Sequence, residues 1–285
     1  IMMGGRSARS QYQYTLQGDN LDTLRAAGRK EKESSSNCGT GGTIYKELAS
    51  DGVGGGELTF DGIYQDDPVY TQYPGYDRRI YTLVSGVDLT YRPKKIIARN
   101  GANFGVANGD TWDLSETTAF EAIEPTGYRN RIQVDGGWLV LPERIWTEMD
   151  FFVTAASGLR IKSDGSGVLK LGAGVTFTSD FPLTVEGSVE MLSGATMTHT
   201  ANGSSKDYGI DLTVTRSVTN HVGGSISAKG KGFGGNTGPG KPNTFDAEVG
   251  GNSNRGASHA GLANREIGDI CYGSPTRPET IGSGG

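Results

Sequence analysis

"LTVEGSVEMLSGATM" (Leu183–Met197) and "LTVTRSVTNHVGGSI" (Leu212–Ile226) follow one scheme at an offset of 29 residues. The shared frame is LTV-x-x-S-V, four variable positions, then glycine, small, polar and apolar residues. In Leu183-Thr184-Val185 and Ala195-Thr196-Met197 the alternation sends one side chain inward and the next outward, the period of a strand. The closing unit recurs more widely, as "SGLRI", "AGVTF", "SGATM" and "GGSI". Its glycines, Gly158, Gly174, Gly194 and Gly223, are spaced by 16, 20 and 29 residues. A turn-plus-strand unit kept at irregular spacing predicts coils of a parallel β-helix, with the glycines as structural turn residues and loops of variable length leaving the corners. The expected fold class is therefore all-β, a right-handed parallel β-helix (solenoid) with long glycine-rich loops, running from about residue 80 onward. The alternative is a β-sandwich whose hairpins look alike.

Composition points the same way. Glycine contributes 46 of 285 residues, about twice the usual share, and only 34% of the chain is apolar. Long Leu/Ala/Glu/Lys tracts are missing, while Val, Ile, Thr, Tyr and Phe are plentiful. The net charge of −5, with Lys and Arg scattered, argues against a nucleic-acid partner, which needs a basic face. Cys38 and Cys271 are too few for a disulfide framework and lack zinc-site spacing, and whether they pair is left open. No apolar run is long enough to form a membrane-spanning segment. "IMMGG" at the start has no signal-peptide pattern, and "IGSGG" at the end breaks off inside a glycine-rich run, so the chain reads as a truncated fragment.

Four stretches differ in character. Residues 1–27 combine an alternating "QYQYTLQ" with "DNLDTLRAA", a capped helix start with Asp19 or Asn20 as N-cap and Leu21 and Leu24 on one face. Residues 28–56 are rich in charge, serine and glycine and predict a flexible linker, with at most a short helix near Tyr45–Ala49. Residues 57–230 predict a β-rich region that becomes coils. Its first half holds "ELTFDGIY", "RRIYTLV", "KKIIARNG" and "NRIQVDGGWLVL", and "TWDLSETTAFEAI" predicts one helical turn after Ser115. Residues 231–285 form a glycine-rich loop region.

Two segments resemble known families. "LTVTRSVTNHVGGSISAKGKGFGG", then "GASHAGL", then "CYGSPTRPETIGSGG", resemble the glycine-rich repeats of large bacterial surface and secreted proteins, over roughly Leu183–Gly285. That resemblance implies an adhesin-like, parallel β-helical polypeptide, extracellular or at the cell surface, with glycans or other cell-surface components as partners. The chain departs from the repeat pattern at Arg216, where a turn glycine is usual, and at Asn220–His221, where small or apolar residues are usual. Residues 1–27 resemble a short β-α segment of the porter region of resistance–nodulation–division efflux transporters, on the string "GGR…QYQYTLQ…DNLDTL".

Signals for chemistry are sparse. His199, His221 and His259 show neither HExxH nor HxH spacing, so no metal site is expected. His259, within "GASHAG", is expected to hydrogen-bond the glycine loop as a structural residue. Asp110, Asp113 and Glu116 in "GDTWDLSE" are the weak catalytic candidates for a β-helix polysaccharide lyase or glycoside hydrolase, with Trp112 as a ligand-binding, sugar-stacking platform. "GKGFGG" (Gly230–Gly235) lacks the strand–turn–helix setting of phosphate binding, and "SDGSG" and "NGD" are explained by turn formation, so no cofactor is expected. The preferred function is a non-enzymatic structural or adhesin-like fragment. A carbohydrate-active enzyme and an efflux-transporter remnant are the alternatives.

Overall fold

The computed structural model describes residues 2–5, 12–13, 42–48, 50–62, 81–123, 129–234 and 237. The helix expected in "DNLDTLRAA", Cys38, Cys271, His259 and nearly all of the glycine-rich region 231–285 lie outside the described residues. The chain divides into two compact units, one of residues 1–197 and 211–226, the other of residues 198–210 and 227–285.

Among its described residues the first unit is all-β, with a 3-10 turn at Gly86–Thr90. It opens with β1 (Met2–Gly5), β2 (Tyr12–Gln13), β3 (Gly42–Lys46) and β4 (Glu57–Asp61). These four make the antiparallel part of a six-stranded sheet in the order β2-β1-β3-β4. The expected linker with a short helix near Tyr45 is corrected here: "GTIYK" is a strand, with Ile44 buried and Tyr45 nearly so. Its glycine-flanked composition hides a β-branched and aromatic core that its neighbour β4 completes.

After β4 the pairing becomes parallel. β5 (Tyr81–Val84) and β6 (Lys95–Arg99) flank the 3-10 turn. Triplets follow: β7 (Asn103–Val106), β8 (Thr111–Asp113) and β9 (Ala119–Ile123), then β10 (Arg131–Asp135), β11 (Trp138–Leu141) and β12 (Arg144–Trp146). Next come β13 (Asp150–Ala155), β14 (Ser157–Ile161) and β15 (Val168–Leu171), then β16 (Thr176–Ser179), β17 (Leu183–Glu186) and β18 (Ser188–Met191). The series ends with β19 (Thr196–Thr198), β20 (Leu212–Val214), β21 (Val218–Asn220) and β22 (Ser225–Ile226).

From β7 on, nearly every strand lies beside the strand three later. The sheets run β5-β7-β10-β13-β16-β19-β22, β8-β11-β14-β17-β20 and β12-β15-β18-β21, while β4, β6 and β9 form the parallel part of the first sheet. The two halves of the repeated phrase sit side by side, Leu183 against Leu212, Thr184 against Thr213 and Val185 against Val214. The helical turn expected after Ser115 is not formed, because Thr111–Asp113 and Ala119–Ile123 are both strands with a tight turn between them.

Inward positions form columns of like residues. Phe60 stacks on Phe104 at 4.3 Å and 8°, and Phe151 on Phe177 at 5.2 Å and 10°. Leu139, Leu159 and Val185 align on adjacent strands and are fully buried. Each such aliphatic or aromatic side chain contributes roughly 1.5–3 kcal/mol of burial. Trp146 on β12 lies edge-on to Phe120 at 4.8 Å and to Phe151 at 5.3 Å.

Candidate functional site

Three of the glycines singled out in the sequence occupy equivalent turns. Gly174, Gly194 and Gly223 have φ of 80°, 81° and 84°. Each is the third residue of a turn closed by an i→i+3 bond, Val175 N–H to Gly172 O, Ala195 N–H to Leu192 O and Gly224 N–H to His221 O. Positive φ at this position is that of a type II turn, where glycine is the low-cost residue. The turns are also bonded to one another: Gly174 N–H donates to Gly194 O at 3.0 Å and Gly194 N–H to Gly223 O at 2.8 Å.

Gly158, expected as a fourth turn residue, is instead inside β14 with ordinary strand geometry. Trp138 accounts for it. Trp138 lies opposite Gly158 on the neighbouring strand, and a Cβ on Gly158 would meet Cδ2, Cε2 and Cε3 of the indole at 2.3–2.4 Å.

The aromatic platform expected at Trp112 is also corrected. Trp112 is fully buried, edge-on to Phe60 at 6.2 Å, and in register with the inward Leu139. Inward orientation sends its neighbours outward. Asp113 faces solvent, caps its own turn by accepting Ser115 N–H at 2.9 Å, and lies 3.9 Å from Arg92 Nε. Asp110 sits in the turn before β8, its N–H bonded to Ala107 O, and Glu116 is exposed in the turn after it. Asp113 is thus held by its own loop and by Arg92.

What gathers on the outer face of the β8-β11-β14-β17-β20 sheet is a different set. One cross-strand row runs Trp138, Gly158, Thr184, Thr213. The row two residues along the strands runs Asp113, Val140, Arg160, Glu186. Arg160 Nε donates to Glu186 Oε2, and the Arg160 guanidinium carbon lies 5.7 Å from the Trp138 ring centre. The bond to Glu186 raises the Arg160 pKa, with the charges of Glu186 and Asp113 adding to it, so the guanidinium is a fixed positive charge. At the end of β14, Lys162 reaches Glu143 at 2.9 Å and Lys170 reaches it at 3.5 Å. The Lys162 hydrogen bond draws the Glu143 carboxyl below its usual range.

Neither described histidine joins a cluster. His199 is buried and its Nδ1 lies 2.8 Å from Thr200 O, while His221 Nε2 lies 3.7 Å from Glu190. Among the described residues no three His, Cys, Asp or Glu side chains are placed to hold a metal ion, and no helix is long and apolar enough to cross a membrane.

Trp138 was missed in the sequence because "DGGWLVL" does not declare which way its first strand residue points. The parity becomes readable only when the strand is registered against "SGLRI", which sets Trp138 on Gly158 and Leu139 on Leu159. Comparison of the chain with protein-family models, curated proteins and solved structures finds no match.

Proposed function

We propose that this chain is a structural, adhesin-like segment of a bacterial extracellular or cell-envelope protein, built as a right-handed parallel β-helix that displays loops from its corners. The observation that carries the proposal is the stacking of strand on strand three later, with parallel pairing throughout the last three sheets. A sandwich of look-alike hairpins would put antiparallel neighbours there. Right-handedness follows from the strong preference of parallel crossover connections for that hand. Each coil shares its core with its neighbours, so a long glycine-rich excursion needs no core of its own. The resemblance of residues 183–285 to bacterial surface repeats supports the surface location and a partner among glycans or other envelope components.

The lyase or hydrolase alternative loses its aromatic floor, because Trp112 beside Asp110, Asp113 and Glu116 in the sequence is fully buried. The test is to incubate the purified chain with insoluble bacterial and plant polysaccharides and to measure both retained protein and released sugar ends. Retention without release is expected. Release of reducing or unsaturated ends would replace the scaffold proposal with the enzymatic one.

A further inference from the structure

The structure assigns to Trp138 the role of a docking platform for a neutral pyranose ring, the partner class that the adhesin-like reading expects. Of the three tryptophans, Trp112 and Trp146 are fully buried, and Trp138 alone reaches solvent. Its ring is laid face-on against the backbone of Gly158. The near-equal approach of a Gly158 Cβ to three atoms around the fused bond, 2.3–2.4 Å, places that direction against the ring's face rather than its edge. The Arg160 guanidinium lies over the same ring, its central carbon 5.7 Å from the ring centre, so a sugar would share the indole with a fixed positive charge. A pyranose offers an apolar face of C–H groups and a rim of hydroxyls, which suits a flat π surface bordered by polar groups.

That border is present. Asp113, Arg160 and Glu186 stand in the next row, about 7 Å along the strand direction, and Thr184 lies beyond Gly158 in the ring's own row. Two carboxylates face Arg160 and Arg92, so the surroundings carry balanced charge, with acceptors and donors for hydroxyls. Balanced charge selects a neutral glycan over a uronate or a polycation. An isolated structural function, covering the Gly158 backbone, would need neither a solvent-facing indole nor this rim.

Trp138 is also its own reporter. The chain should be titrated with neutral oligosaccharides of glucose, galactose, mannose and xylose, and with polygalacturonate as an acidic control. Tryptophan emission and calorimetry are followed together. Saturable binding of a neutral oligosaccharide with a blue-shifted emission is expected. Trp138→Leu, which keeps apolar bulk over Gly158 but removes the ring, should weaken it by about tenfold or more. Asp113→Asn, away from the core, should weaken it several-fold with far-UV circular dichroism unchanged. Equal binding by wild type and Trp138→Leu would overturn the platform while leaving adhesion intact. Binding of polygalacturonate alone, or of no sugar in the panel, would also overturn it. Release of sugar ends bears on the scaffold reading and not on this site.

Discussion

Tyr45 carries a distinct pH signature. Its hydroxyl donates to Glu47 at 2.5 Å and accepts Gly56 N–H at 3.0 Å. Burial first, and the Glu47 carboxylate second, raise its pKa well above that of a free phenol. The folded state therefore keeps the proton at a pH where the unfolded chain, with a phenol pKa of about 10, gives it up. Its contribution to stability is complete below about pH 10 and is lost as pH rises from there toward the folded-state value. Tyr45→Phe should lower stability near neutrality by about 1 kcal/mol and flatten the alkaline fall of the urea midpoint. Parallel alkaline curves for the two proteins would contradict this. Asp61 poses a different problem. Its side chain is wholly buried, accepting from Arg99 Nη2 at 2.7 Å and Asn100 Nδ2 at 2.6 Å. Asp61→Ala takes the facing carboxylate from a buried guanidinium and should cost about 3–5 kcal/mol by chemical denaturation. Asp61 was not legible in the sequence, because an ion pair spanning 38 positions has no local signature. Trp112 and Trp138 show the same limit: residue type marked Trp112 as a platform and passed over Trp138, and only strand parity separates core from surface.

Strands and turns were more legible than single contacts. The repeated phrase gave its own alternation, and β17, β18 and β19 alternate half-buried with buried positions as the apolar pattern requires. The turn glycines were readable because glycine recurred at one place in that phrase. Gly174 isolates the backbone contribution: an added Cβ meets only Arg129 Nη1, at 3.4 Å. Gly174→Ala should cost about 1–2 kcal/mol, from the left-handed conformation alone. At Gly194 the same change also presses on Ala173 Cα at 3.2 Å, so its midpoint should fall further. Equal losses at the two sites would show that the turns yield freely. β3 and β14 were harder. In β3 the decisive partner is β4, which sets Glu57 opposite Lys46 and Leu58 opposite Tyr45. In β14 the glycine that looked like a turn marks the close approach of an aromatic ring.

At the scale of the first unit, interior quality changes along the stack. Leu159, Val185 and Val189 are fully buried, whereas Val218 and Ile226 on the last strands are 47% and 43% exposed. Strands paired in this order draw stability from immediate neighbours, so the exposed last strands open first. Amide exchange should be slowest in β13–β18 and fastest in β20–β22. Val185→Asp should abolish cooperative unfolding, while Val218→Thr leaves the midpoint within about 0.5 kcal/mol of wild type. Uniform protection across the unit would refute the gradient. The stacking order was legible from the offset of 29 residues, but the antiparallel opening from β1 to β4 was not, since no repeat announces it. The excursion between Met197 and Asp211 has a practical corollary. The chain quits the first unit there and rejoins it with Leu212 on its appointed rung beside Leu183. Phase in such a stack is counted in rungs, not in residues, so the length of chain spent between Met197 and Asp211 leaves the pairing of Leu212 with Leu183 intact.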